Sequence, residues 1–178
     1  EATPEQHRTA IEAAVAAGAR RIVYTSHMGA RPYSPFRPMR SHAATEATLA
    51  ASGVPFTALR NGYYIGSAIA LIGDARDTGT IAVPADGPVA WTAHDDLAEA
   101  AALALIVDGL LDGVTPPLTG CAALDFAAIA GIAAESAGRE VRRVVVDDAA
   151  FIARLVASGV REAYAATLAG SVAASRHG

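Results

Sequence analysis

The stretch Ser41–Tyr64 reads SHAATEATLAASGVPFTALRNGYY. Ser41 is a fair N-cap, and Ala, Thr, Glu and Leu carry a helix from there to Ser52. Gly53 closes that helix as a left-handed cap, and Pro55 forbids its continuation. Val54 and Phe56–Leu59 then form a short apolar run of strand type. Arg60-Asn61-Gly62-Tyr63-Tyr64 falls where that strand ends. In open α/β sheets, ligands bind outside the carboxyl ends of the strands. Two phenols, an amide and a guanidinium at such an end make a candidate site.

The rest of the chain repeats the same step. Thr3-Pro4-Glu5-Gln6 opens a helix over Pro4–Ala17 that sets Ile11, Ala14, Val15 and Gly18 on one side. Arg21–Thr25 is a strand of β-branched and aromatic residues, with Ser26 at its end as a second candidate site position. His27–Arg40, rich in proline and arginine, reads as a loop long enough to be functional. It is either a solvated connection or a lid over the substrate.

Beyond Tyr64 the pattern gives a helix over Ile65–Ala75, a turn at Asp77–Thr80, and short strands at Ile81–Val83 and Val89–Trp91. Asp95 or Asp96 caps a long alanine helix to about Asp108, and Pro116–Thr119 leads a strand that ends at Gly120. A helix runs from Leu124-Asp125 to Ala137 with Gly138 as its cap, followed by a strand over Val141–Val146. Asp147-Asp148 caps a helix to Ala157, and a last helix covers Arg161–Ala174. Strands and helices alternating at these lengths predict a mostly parallel sheet flanked by helices.

Composition narrows the classes. With 178 residues, 52% hydrophobic and 18% charged, the chain is long enough for a core with buried strands. A net charge of −4 offers no basic surface for nucleic acid. All 14 basic side chains are Arg. One cysteine, Cys121, excludes an internal disulfide and a cysteine zinc site, and reads as a small core residue. His7 and His94 stand alone, with no H-x-x-x-H or H-x-E pattern to hold a metal. No apolar run approaches the ~20 residues of a membrane helix, and the first residues do not form a signal peptide. A cytoplasmic protein is the expectation.

The pattern H-x-x-T-E at His42, then S-G-x-x-x-T-x-L-R-N-x-x-Y from Ser52, resembles the NmrA-like atypical short-chain dehydrogenases/reductases, and within them the NAD(P)H:quinone oxidoreductase type 2 and triphenylmethane dye reductase group. Gln6–Ser26, the run DDLAEAAA from Asp95, Leu118–Gly120 and the AGREV stretch from Ala137 agree with it in the right order. The resemblance implies the later part of a doubly wound NAD(P)-binding Rossmann fold with a small mixed C-terminal lobe. It also implies one domain over 1–178, truncated at its N-terminus. Residues 1–110 would be mainly the Rossmann part and 111–178 mainly the substrate-side lobe. The expectation of truncation rests on a motif: no G-x-G-x-x-G or G-x-x-G-x-x-G turn occurs, and such a turn carries the cofactor pyrophosphate.

The resemblance also implies a function. The expected activity is hydride transfer from NADPH, rather than NADH, to a small flat aromatic acceptor such as a quinone. Two other readings stay open: a non-catalytic NADP-sensing regulator, and an inactive fragment. The usual short-chain dehydrogenase acid, a Tyr with a Lys four residues on, cannot exist in a chain without Lys. His42 falls at the Lys position and Pro38 at the Tyr position, so His42 is the candidate catalytic residue. Its plainer reading is a histidine bonded to a nearby backbone carbonyl. Glu46, one turn on, would orient its ring. Holding a quinone or cationic dye against the nicotinamide is chemistry that positioning can serve. Thr25, Ser26, Asn61, Gly62, Tyr63 and Tyr64 are the candidate cofactor-binding residues. Their plainer readings are hydroxyls bonded to loop backbone and tyrosines packed in a core. Arg60 reads equally as a partner for a carboxylate at the sheet end. No metal site is expected.

Overall fold

The computed structural model describes residues 2–176. In chain order the elements are α1 (Pro4–Ala16), β1 (Ile22–His27), α2 (Arg37–Ala51), β2 (Phe56–Asn61), α3 (Ile65–Ile72), α4 (Ala75–Thr78), β3 (Thr80–Val83), α5 (His94–Ile106), β4 (Gly113–Val114), α6 (Phe126–Ala137), β5 (Arg142–Val145), α7 (Asp148–Ala157) and α8 (Glu162–Ser175). They fall into two compact units. The first comprises residues 1–63 and 92–120, the second 64–91 and 121–178.

The first unit carries a parallel sheet in the order β1-β2-β4. β1 and β2 run in full register from Ile22 beside Phe56 to His27 beside Asn61. Side chains alternate between the faces of a strand. Tyr24 and Ser26 therefore share a face with Arg60, and the hydrogen bonds of all three to α2 identify that face as the α2 side. Arg21, on the alternate set, reaches Thr57 of β2 at 2.8 Å and Asp108 at 3.5 Å, and pairs with Asp112, the two carboxylates lying just beyond the end of α5. Leu49, Ala58, Leu59 and Ala104 are completely buried or nearly so and make the core of this unit.

Local chemistry sets several boundaries away from the sequence expectation. α2 starts at Arg37 rather than at Ser41, which lies inside it; its N-cap is Phe36, and Pro38 occupies the first turn. Proline presets the helical φ and lacks an N–H that would be unpaired there in any case. The loop after β1 is correspondingly shorter. α5 is capped by Ala93, with Asp95 and Asp96 inside its first turn, where they face the positive end of the helix dipole. The last strand of the sheet is Gly113–Val114, not Pro116–Gly120. Pro116 and Pro117 have no N–H to donate, so the ladder is interrupted there. The Thr115 hydroxyl accepts the Arg60 N–H at 3.0 Å in its place, and backbone pairing resumes with Leu118 N–H to Arg60 and Gly62 N–H to Leu118.

The second unit pairs β3 with β5 in parallel, Thr80 beside Arg142 through Val83 beside Val145. Phe151, Ile81, Val83 and Ala165 form its fully buried centre, with Leu71, Phe126 and Leu155 around them. Asp125 and Asp147 cap α6 and α7, each accepting a backbone N–H, and Gly138 ends α6 in the left-handed region. Val89–Trp91 is not a strand; Val89 makes a single antiparallel bridge to Leu124. Cys121 is exposed rather than a core residue. Among the described residues no helix is long and apolar enough to cross a membrane.

Candidate active site

The parallel register brings the two predicted strand ends together: Ser26 lies beside Arg60 and His27 beside Asn61. Thr25–Ser26 and Asn61–Tyr63 thus share the carboxyl edge of the first unit's sheet. Tyr64 opens the second unit as the N-cap of α3 and is exposed.

Each residue at that edge has a distinct state. Thr25 is exposed. Ser26 is buried, and its hydroxyl donates to Glu46 Oε1 at 2.6 Å. Glu46, also buried, takes two further bonds from Arg60, Nε at 3.0 Å and Nη2 at 2.7 Å. This fork-on-fork geometry is the strong form of an arginine–carboxylate pair, and Glu46 holds the Arg60 guanidinium even more firmly in its charged form. The pair ties α2 to the end of β2. The expectation that Glu46 orients His42 is therefore corrected, because its oxygens are engaged by Ser26 and Arg60.

His42 is instead held by a residue the sequence reading passed over. The Tyr24 hydroxyl lies 2.6 Å from His42 Nδ1. The signal was present: Tyr24 sits two residues before Ser26 and so on the same face of β1. Burial lowers the pKa of His42, His7 nearby acts in the same direction, and Glu46 opposes them weakly.

The third feature is a ring cluster. His27 meets Tyr63 edge-on at 4.7 Å and Phe36 at 5.6 Å between centroids, and Phe36 lies nearly parallel to Tyr63 at 5.9 Å. The His42 ring stacks at 6.1 Å from His27. His27 and Phe36 were read as loop residues, and nothing in their spacing marks them as ring partners. Burial lowers the His27 pKa to about 4, with His42 adding to the effect. Burial also pushes the Tyr63 phenol well above its ordinary value. At neutral pH the cluster is uncharged.

Gly62 is small for a reason internal to the protein. A Cβ there would lie 2.3 Å from Thr92 Oγ1 and 3.0 Å from the Leu118 carbonyl oxygen. Asn61 is 5% exposed, and among the described residues its Oδ1 has no hydrogen-bond partner. A buried acceptor without a donor is costly and marks a place where a ligand donor would be rewarded. Among the described residues no group of His, Cys, Asp and Glu is arranged to hold a metal ion.

No protein-family model matches the chain. It is 35% identical to quinone oxidoreductase 2 of Escherichia coli over 97% of its own length and 60% of that protein. A crystal structure of NADPH-dependent quinone oxidoreductase from the same organism, complexed with NADPH, superposes with a TM-score of 0.87 over 96% of this chain and 60% of that one. The NmrA-like family domain-containing oxidoreductase flvB of Aspergillus flavus is 29% identical over 85% of this chain and 50% of its own length. The Citrobacter sp. triphenylmethane reductase complexed with NADP(H) is 28% identical, with a TM-score of 0.87 over 98% of this chain and 62% of that one. The chain thus spans about half to three-fifths of the length of these relatives. By sequence and by fold, the chain is similar to quinone oxidoreductase 2, to an NmrA-like oxidoreductase and to triphenylmethane reductase.

Proposed function

We propose that the protein is an NADPH-dependent reductase that passes hydride to a flat aromatic acceptor such as a quinone. One observation carries the reading. At the carboxyl edge of β1 and β2, the uncharged rings of His27, Phe36 and Tyr63 cluster beside His42 and a buried Asn61 oxygen that has no partner among the described residues. The relatives' names, quinone oxidoreductase and triphenylmethane reductase, support the same class of reaction.

The residues fit the nicotinamide end of such a cofactor. A carboxamide N–H is the donor that Asn61 Oδ1 lacks, and aromatic side chains suit a flat heterocycle. When bound, the cofactor supplies the hydride. The chain's own residues do the rest. Tyr63, Phe36 and His27 offer an apolar, uncharged surface for a flat acceptor and exclude water from it. His42, neutral at pH 7, holds a proton that can hydrogen-bond to an acceptor oxygen as negative charge develops there. The Glu46–Arg60 pair keeps α2, and with it His42, fixed against the strand ends.

The test uses the protein expressed from its whole open reading frame, with NADPH and either a benzoquinone or an aliphatic ketone, following the absorbance of the reduced cofactor. Turnover with the quinone and none with the ketone is expected. NADPH bound tightly but not consumed with any quinone would favour an NADP-sensing regulator instead.

A further inference from the structure

We propose that Tyr24 is a positioning residue: its phenol fixes His42 in the tautomer that carries its proton on Nε2, so that the site presents a neutral imidazole N–H. The use of that N–H toward an acceptor oxygen rests on the reductase reading above. The tautomer assignment does not.

The protons at this contact can be counted. Tyr24 and His42 come from β1 and α2, and the phenol oxygen and Nδ1 are 2.6 Å apart. A bare imidazole nitrogen is a far better proton acceptor than a phenol oxygen, whose conjugate acid is a strong acid. The O–H therefore donates and Nδ1 accepts. Nδ1 then has no hydrogen of its own, and the ring proton resides on Nε2.

Two neighbouring histidines can be assigned by the same count and serve as internal controls. Thr45 donates its one hydroxyl proton to the Ser41 carbonyl at 2.9 Å, so its oxygen can only accept from His7 Nδ1, 2.8 Å away. Neutral His7 is therefore the Nδ1–H tautomer, the opposite of His42. His27 Nδ1 accepts the Gly29 N–H at 3.1 Å, which places the His27 proton on Nε2.

The groups facing His42 agree with a neutral ring. They are Tyr24 and His27 from β1, His7 from α1, and Glu46 on its own helix. Glu46 alone favours a charged imidazole, and its carboxylate is already shared between Arg60 and Ser26. The arrangement gives His42 a phenol partner from a different element than the preceding helical turn, where Pro38 stands.

Long-range proton–nitrogen correlation spectra of the 178-residue chain at pH ~8, above the histidine reference value of ~6.5, read each tautomer directly. His42 and His27 should appear as Nε2–H and His7 as Nδ1–H. A His42 signal of the Nδ1–H form overturns the proposal, and this needs no variant. In the protein expressed from its whole reading frame, Tyr24→Phe should lower kcat about tenfold, the scale of one hydrogen bond, with KM for NADPH unchanged. The same substitution in a His42→Gln background should cost nothing further, because an amide has no tautomer to set. An equal loss in both backgrounds, or a change confined to KM, overturns the positioning role. If the parent protein shows no turnover, the reductase reading fails and the spectra alone decide the tautomer.

Discussion

His27 illustrates how one side chain couples the site to pH. Its ring is enclosed by Phe36 and Tyr63, and its Nδ1 serves as acceptor for the Gly29 N–H. Protonation would place a charge in that apolar setting near His42 and turn an acceptor into a donor facing a donor. Its pKa is accordingly lowered to about 4. The unfolded chain, near ~6.5, binds a proton more readily than the folded one, so folding stability must fall as pH drops between the two values. The contribution is complete above ~6.5, is lost progressively toward pH 4, and amounts to about 3 kcal/mol. His42, lowered for the same reason, acts with the same sign. Urea midpoints measured at several values between pH 7 and 4 should fall steeply for the parent and less steeply for His27→Gln. Equal slopes would show that the imidazole is not buried in neutral form. At His42 itself, geometry predicts that His42→Gln retains more reductase activity than His42→Ala, since an amide keeps one hydrogen bond without titrating. Two equally inactive variants, with a parent rate that follows a single protonation near pH ~6.5, would instead identify a general acid.

Among the elements, the end of β2 carries the closest packing in the site. Gly62 follows Asn61 directly and donates its N–H to Leu118 at 2.8 Å, while Thr92 Oγ1 accepts the Gly120 N–H at 3.2 Å beside it. A methyl group at Gly62 would press on both Thr92 and the Leu118 carbonyl. Gly62→Ala should therefore destabilise the protein by about 1–3 kcal/mol, the usual cost of overpacking. Adding Thr92→Ala should restore only part of that, because the carbonyl contact is backbone; full restoration in a denaturation series would show that the side chain alone matters. The same region shows what was legible beforehand. The short apolar run Phe56–Leu59 and the Gly53–Pro55 break located β2 and the edge where it ends, since both signals are local. The start of α2 was misplaced because Pro38 was read as a loop residue, although a proline is equally at home in a first helical turn. The ring cluster of His27, Phe36 and Tyr63, and the Tyr24–His42 bond, depend on which strand and helix lie together. Spacing along the chain does not contain that information.

At the scale of the whole molecule, the distribution of cofactor-binding chemistry is uneven. The strand-end residues of the first unit provide an orphan acceptor and aromatic faces suited to a nicotinamide. The pyrophosphate is the part of NADPH that needs most from the protein, since its charge is normally met by backbone N–H groups of a Gly-rich turn at a helix N-terminus. The 178 residues contain no G-x-G-x-x-G or G-x-x-G-x-x-G turn. The N-termini of α1, α6 and α7 already have backbone N–H groups bonded to Thr3, Asp125 and Asp147. The first turn of α5 carries Asp95 and Asp96, which repel an anion. Contacts to the nicotinamide end alone amount to a fragment-sized interaction. Calorimetric titration of the isolated 178-residue chain with NADPH should therefore give a Kd no tighter than about 1 mM, ~4 kcal/mol of binding free energy. A micromolar Kd would mean that the arginines or free helix ends of these residues hold the pyrophosphate by a route other than a glycine-rich turn.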